Sequence, residues 1–177
     1  HQQNRAMVNV LEVPCRRLIL EWEVADVLRD AAVVMTVDFH RPGANNILPD
    51  DCVPHIVIDH HASEGVAADL SMVHPEFSAT SSLVASLLMQ LEFEMTPRVA
   101  TALAFGIRTD TLGFTRNFNP VDIRALSWLN AWVDSDMMRS IEEPPRSIET
   151  LDAFSEALKE RKQYGSTVLA PLSALPR

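Results

Sequence analysis

Two short apolar runs, each cut off by an aspartate, constrain this chain more than any other feature. Residues 31–37 read AAVVMTV and stop at Asp38. His55 to Ile58 read HIVI, are introduced by Pro54, and stop at Asp59-His60-His61. Apolar runs this short and this rich in β-branched residues predict strands buried on both faces, the kind a parallel sheet uses. Each strand would then hand polar side chains to the C-terminal edge of the sheet, where open parallel sheets bind ligands. The turn-forming Arg41-Pro42-Gly43 and Asn45-Asn46 follow the first run at once.

Helices account for most of the remaining chain, so the predicted class is α/β, a parallel sheet with flanking helices. A first helix is expected over Asn4 to Leu11, with Asn4 as its cap, and a short second one over Trp22 to Leu28. Ser78 or Thr80 caps a helix with Leu83, Val84, Leu87, Leu88 and Leu91 on one stripe. Thr96-Pro97 and Asn119-Pro120 are cap-plus-first-turn pairs for two more helices. The first of these carries Val99, Leu103, Ala104 and Ile107, runs into Arg108-Thr109-Asp110-Thr111, and is closed by Gly113. The second carries Ile123, Leu126, Leu129 and Trp132. Glu142-Glu143-Pro144-Pro145 is a break, after which Ser147 caps an amphipathic helix (Ile148, Leu151, Phe154, Leu158) that Gly165 closes. Trp128, Trp132, Met137 and Met138 read as packing residues.

Composition excludes several classes. With 15 Lys+Arg against 24 Asp+Glu, the formal charge is −9, which argues against a broad basic face for duplex nucleic acid. No apolar run approaches the roughly 20 residues that span a bilayer, so no membrane partner is expected. Cys15 and Cys52 make no disulfide framework. They read as small buried hydrophobes of a reducing, cytoplasmic compartment. The chain starts at His1 with no charged-then-apolar leader, and the native protein is expected to continue upstream.

Asp38, Asp59, His60, His61 and Asp110 all stand at the ends of apolar elements. Carboxylates and imidazoles converging there suit a divalent ion of intermediate hardness, such as Mn²⁺, better than thiolate-seeking zinc. Two such ions about 3.5–4 Å apart would activate a water and stabilise a leaving oxygen in phosphoryl transfer. Spacing alone leaves a second reading open: an ordinary polar loop cluster, with the aspartates as turn formers and the histidines as surface residues. His40, His55 and His74 are expected to be structural or solvated.

The segment HIVIDHHASEG, with VVMTVDFHRPGANN before it and ALAFGIRTDTLGFTR after it, resembles the DHH phosphoesterase family. That family includes RecJ-type exonucleases, nano-RNases, cyclic dinucleotide phosphodiesterases and, more distantly, family II inorganic pyrophosphatases. The opening HQQNRAMVNVL is similar to the His-x-x-Asn-Arg segment of the nano-RNase-like branch, and the match covers most of residues 1–125.

The resemblance implies roles for individual residues. Asp38 would bridge two Mn²⁺ ions, with Mg²⁺ as a substitute, and His60 and Asp110 would be ligands of the second ion. His61 would face the substrate phosphate, and Asp59 would orient the imidazoles. Arg41, Asn45, Asn46 and Arg108 would donate to phosphate oxygens. The family's first motif, an Asp-x-Asp near the N-terminus that supplies the rest of the first ion's ligands, would fall before His1. Its C-terminal DHHA1-like domain, with a Gly-Gly-Gly-His signature, has no counterpart here, since no two of the five glycines are adjacent. Residues 1–143 would thus be a partial DHH domain, incomplete at both ends. Residues 144–177 would lead by a Pro-Pro break, a helix and a linker toward the second domain, and an NAD-binding domain precedes the phosphoesterase in some relatives.

The expected function is Mn²⁺-dependent hydrolysis of phosphodiester or phosphomonoester bonds in small nucleotides or short single-stranded oligonucleotides, in a possible homodimer. The alternative is a catalytically inactive nucleotide-binding or regulatory module lacking the first metal motif.

Overall fold

The computed structural model describes residues 2–41, 46–62 and 65–172. Three parallel strands form the sheet in the order β1 (Met35–Val37), β2 (Ile56–Asp59), β3 (Leu70–Val73). Thr36 pairs with Val57, and Val57 with Ser71. The Asp38 amide donates to the Ile58 carbonyl at 3.0 Å, which carries the register one step further and sets Asp38 beside Asp59. Side chains alternate across a strand, so Thr36 and Asp38 share a face with Val57 and Asp59. Thr36, Val57 and Asp59 are buried on that face.

The first strand is shorter and less buried than its sequence predicts. Only Met35–Val37 of the apolar run is strand, and Met35 and Val37 are 51% and 47% exposed. Among the described residues β1 pairs on one side only, and its second face is about half exposed. The strand β3, which reads LSMV, carries too little β-branched character to stand out.

Helices α1 (Gln2–Val10) and α2 (Glu21–Asp30) precede the sheet, and α3 (Thr80–Gln90), α4 (Pro97–Asp110), α5 (Pro120–Leu129) and α6 (Ser135–Glu142) follow it. The helix α3 packs on β2 and against α4 and α5, while α1 lies along α6. Their shared core includes Ala85, Ala100, Ala104, Phe105, Ile107, Ala125, Leu129, Met138 and Ile141. Small residues let α3 and α4 approach closely: a Cβ on Gly106 would lie 2.1 Å from Ser81 Oγ and 3.0 Å from Ser81 Cβ.

Several expected caps move. Asn4 lies inside α1, because the helix already starts at Gln2. Neither Ser78 nor Thr80 caps α3. Ala79 occupies that position, and the Thr80 hydroxyl is engaged elsewhere. Leu91 is 66% exposed rather than part of the apolar stripe. Thr96 does cap α4, accepting from the Val99 amide, with Pro97 in the first turn. Asn119-Pro120 opens α5, where the buried Asp122 accepts from the Asn119 amide at 2.8 Å and from the Ser78 amide at 3.2 Å.

Ser147 caps α7 (Ile148–Lys159) through the Thr150 amide. Gly165 does not close that helix. It sits at φ +61 in the two-residue turn of a hairpin, β4 (Lys162–Tyr164) with β5 (Thr167–Leu169). Cys15 is exposed and Cys52 half-buried, against the expectation of burial; Cys15 lies on the extended connection between α1 and α2. No helix among the described residues is long and apolar enough to cross a membrane.

Candidate metal centre

The parallel sheet brings its C-terminal ends to one edge, and a cleft of about 590 Å³ opens there. Asp38 leaves β1 into it, His60 and His61 follow β2, and Pro75, Phe77 and Ser78 follow β3. Asp110 enters from the last turn of α4, and Arg116 to Asn119 complete the lining.

Ligand atoms of Asp38, His60 and His61 all lie within 4.8 Å of one another. Each is held by neighbours. The Thr80 hydroxyl donates to Asp38 Oδ1 at 2.7 Å, and His60 Nε2 lies 3.6 Å from the same oxygen. His60 Nδ1 faces the Phe77 carbonyl at 3.2 Å. A carbonyl only accepts, so Nδ1 carries the proton and Nε2 turns its lone pair to the cleft. Asp38 itself adopts φ +70, a left-handed conformation uncommon outside glycine, of the sort that collects at functional sites.

Asp59 organises the site from beneath. Its side chain is fully buried, and its Oδ1 accepts from the His60 amide (2.8 Å), the His61 amide (3.2 Å) and His61 Nδ1 (2.7 Å). Its Oδ2 pairs with His40 Nδ1. With Nδ1 donating to a carboxylate, His61 also keeps Nε2 for the cleft. Burial pushes the Asp59 carboxyl up, but hydrogen bonds from His40 and His61 outweigh it and hold the group below the ordinary carboxylate value. The Asp59 hydrogen bond raises His61 above the ordinary imidazole value, against its partial desolvation. Burial raises Asp110, and the Asp38 charge adds to this, against the attraction of His60, His61 and Arg116.

The other expected residues lie elsewhere. Arg108 pairs with Glu142 of α6, Nε to Oε1 at 2.8 Å, and is not among the described residues lining the cleft. Arg41 is exposed, with its carbonyl accepting from Asn46 Nδ2, and Asn46 Oδ1 accepts from the Leu48 amide. Asn46 therefore shapes its own loop. Asn45 lies outside the described residues. His55 is structural, its Nδ1 accepting from the Val34 amide, and the exposed His74 pairs with Glu76.

His40 was expected to be structural or solvated; it is part of the site through Asp59. The cation at the cleft is Arg116. The Asp-x-His spacing after the first strand was the available signal for His40. Nothing in the sequence singled out Arg116.

The donor set of carboxylate oxygens and imidazole nitrogens, without thiolate, fits a divalent metal ion. The second hydrogen bonds on both imidazoles fix the tautomers such a ligand set needs.

Residues 5–107 match the model of the DHH family, N-terminal domain. The chain is 31% identical over 164 residues to the uncharacterized protein MJ1633 of Methanocaldococcus jannaschii, covering 92% of this chain and 32% of that one. It is 38% identical over 58 residues to a Mycoplasma pneumoniae protein, the uncharacterized MG371 homolog, over 33% of this chain and 18% of that protein. Among solved structures, the crystal structure of an exopolyphosphatase-related protein from Bacteroides fragilis superposes with a TM-score of 0.61 at 26% identity. That match covers 81% of this chain and 45% of the other. The chain thus spans about a third of its Methanocaldococcus relative and less than half of the Bacteroides one.

Proposed function

Because this chain belongs to the DHH family, we propose that its cleft is the divalent-metal site of a phosphoesterase acting on small nucleotides or short single-stranded oligonucleotides. The observation that carries this reading is the convergence of Asp38, His60 and His61 on one cleft that Asp110 also lines, with each imidazole oriented through its Nδ1. Asp38, His60 and Asp110 would hold the ion, Mn²⁺ by preference. When bound, the ion supplies positive charge at the phosphoryl oxygens and at the attacking water.

The chain's own residues do the rest. His61, which the Asp59 hydrogen bond raises above the ordinary imidazole value, turns Nε2 to the cleft, where its protonated form would donate to a phosphate oxygen and stabilise charge as it builds there. Asp59 never meets the substrate; it fixes the imidazole plane and, through the two backbone amides, the turn that carries both histidines. Thr80 turns the Asp38 carboxylate toward the cleft. An acidic chain suits small or single-stranded substrates better than long duplexes.

The test is metal-dependent hydrolysis of a short oligonucleotide by the full-length protein and its His60→Ala and Asp38→Asn variants. Both variants are expected to lose activity on the order of 100-fold or more. Unchanged turnover in His60→Ala refutes the assignment, and nucleotide binding without turnover in the wild type would identify the inactive binding module instead.

A further inference from the structure

The rim of the cleft that follows Asp110 has its own chemistry. Leu112, Gly113, Phe114 and Asn117 all have left-handed φ values, +47, +63, +65 and +40, so this stretch folds into a tight series of turns. Only one of the four is glycine, and a conformation this uncommon persists where the surroundings over-determine it. Here the buried Thr111 does so. Its carbonyl accepts from the Thr115 and Arg116 amides at 3.1 and 3.0 Å, and its hydroxyl accepts from the Phe114 amide at 3.2 Å. The Gly113 amide returns to the Arg108 carbonyl at 2.7 Å. Across the cleft, Asn119 Nδ2 donates to the Glu76 carbonyl at 2.8 Å and Ser78 Oγ at 3.2 Å, tying this rim to the β3 side.

Two side chains stand out on this rigid rim. Phe118 lines the cleft and is 45% exposed, a large apolar ring facing water. The ring of Phe114 meets it edge to face, with centroids 5.5 Å apart at 89°, which fixes its orientation while leaving ring surface uncovered. Two residues earlier, Arg116 lines the same cleft near Asp110. An oriented aromatic face and a guanidinium in the cleft that holds the candidate metal ligands are what a nucleotide requires: a platform for a base and a donor for a phosphate. An inorganic polyphosphate would use the guanidinium and leave the ring idle.

We propose that Phe118 is the base-stacking platform and Arg116 the phosphate clamp of a nucleotide subsite, so that the substrate carries a nucleobase and is not an inorganic phosphate chain. This rests on the reading of the cleft as a phosphoesterase site for nucleotides and names the residues that would recognise the base and the phosphate.

The test compares adenosine monophosphate with ribose phosphate, the same phosphate without a base, by calorimetry on the full chain with Mn²⁺ present. The expected affinity ratio is roughly 10 in favour of adenosine monophosphate. That ratio collapses toward one in Phe118→Ala and returns in Phe118→Trp, while Arg116→Gln weakens both ligands alike. Equal binding of the two ligands by the wild type overturns the proposal, as does an undiminished ratio in Phe118→Ala or no binding of either. Hydrolysis of oligonucleotides is measured alongside. A base-dependent ratio without hydrolysis leaves the subsite standing and removes the phosphoesterase reading. Hydrolysis without a base-dependent ratio does the reverse.

Discussion

Replacing Asp59 by Asn keeps the side chain's size and removes its charge. In the native site Oδ1 takes three donors and Oδ2 one. An Asn side chain can place its carbonyl where Oδ1 stands and keep those three donors. Its NH₂ then faces His40 Nδ1, which must give up its proton and accept instead. The geometry survives, but every hydrogen bond becomes neutral. Hydrogen bonds to charged groups are worth about 1.5–3 kcal/mol against about 1 for neutral ones, so a loss of about 1–3 kcal/mol in stability is expected.

The pH dependence carries the sharper signature. Asp59 has a folded value below its ordinary 3.8, so its contribution is complete above 3.8 and disappears as the pH falls through the lower value. His61 has a folded value above its ordinary 6.5, so its contribution is complete below 6.5 and disappears as the pH rises through the higher value. The stability gap between wild type and Asp59→Asn is therefore widest between 3.8 and 6.5 and narrows on both sides. Urea denaturation of the metal-free proteins across this range measures the gap, and NMR titration follows His61, which should fall back toward 6.5 in the variant. Metal affinity should drop roughly 10-fold or more, the usual cost of removing a partner behind a ligand. A gap that does not vary with pH, or a His61 titration unmoved by the substitution, refutes the reasoning.

Three further outcomes follow from the same geometry. Gly106→Ala forces a methyl against Ser81 and separates α3 from α4; denaturation should show a loss of about 1–3 kcal/mol, partly recovered by adding Ser81→Gly. Asp122→Ala removes the buried carboxylate that accepts from the Ser78 and Asn119 amides, and the melting curve should show a loss of about 1–3 kcal/mol. Because Asp110 is raised in the metal-free site and a ligand carboxylate must be ionised, Mn²⁺ affinity should climb as the pH rises through the Asp110 titration, above 3.8, with the released protons read by calorimetry in buffers of different ionisation enthalpy.

The aspartates and histidines of the site were legible because two runs of β-branched residues end on them, and a parallel sheet makes strand ends converge. Asp110 was legible for the helical counterpart of that reason, a Thr-Pro start and a clear period. Expectations failed where the deciding interaction was long-range. Arg108 sits two residues from Asp110 in sequence, yet Glu142 on α6 takes it to another face. His40 looked unremarkable until β1 and β2 paired and set it against Asp59, and Arg116 and Phe118 reach the cleft only through turns of left-handed residues. The hairpin after α7 was misread because a glycine that ends a helix and one that turns a hairpin look alike along the chain.

The central claim is that Asp38, His60 and Asp110 form a divalent-metal site within this chain. A Mn²⁺ titration of the wild type and of His60→Ala, followed by electron paramagnetic resonance, tests it most directly. The account predicts one ion bound per chain in the wild type at this cleft and its loss in His60→Ala, with the fold intact by circular dichroism. Equal Mn²⁺ uptake by both proteins, or none by either, would contradict it.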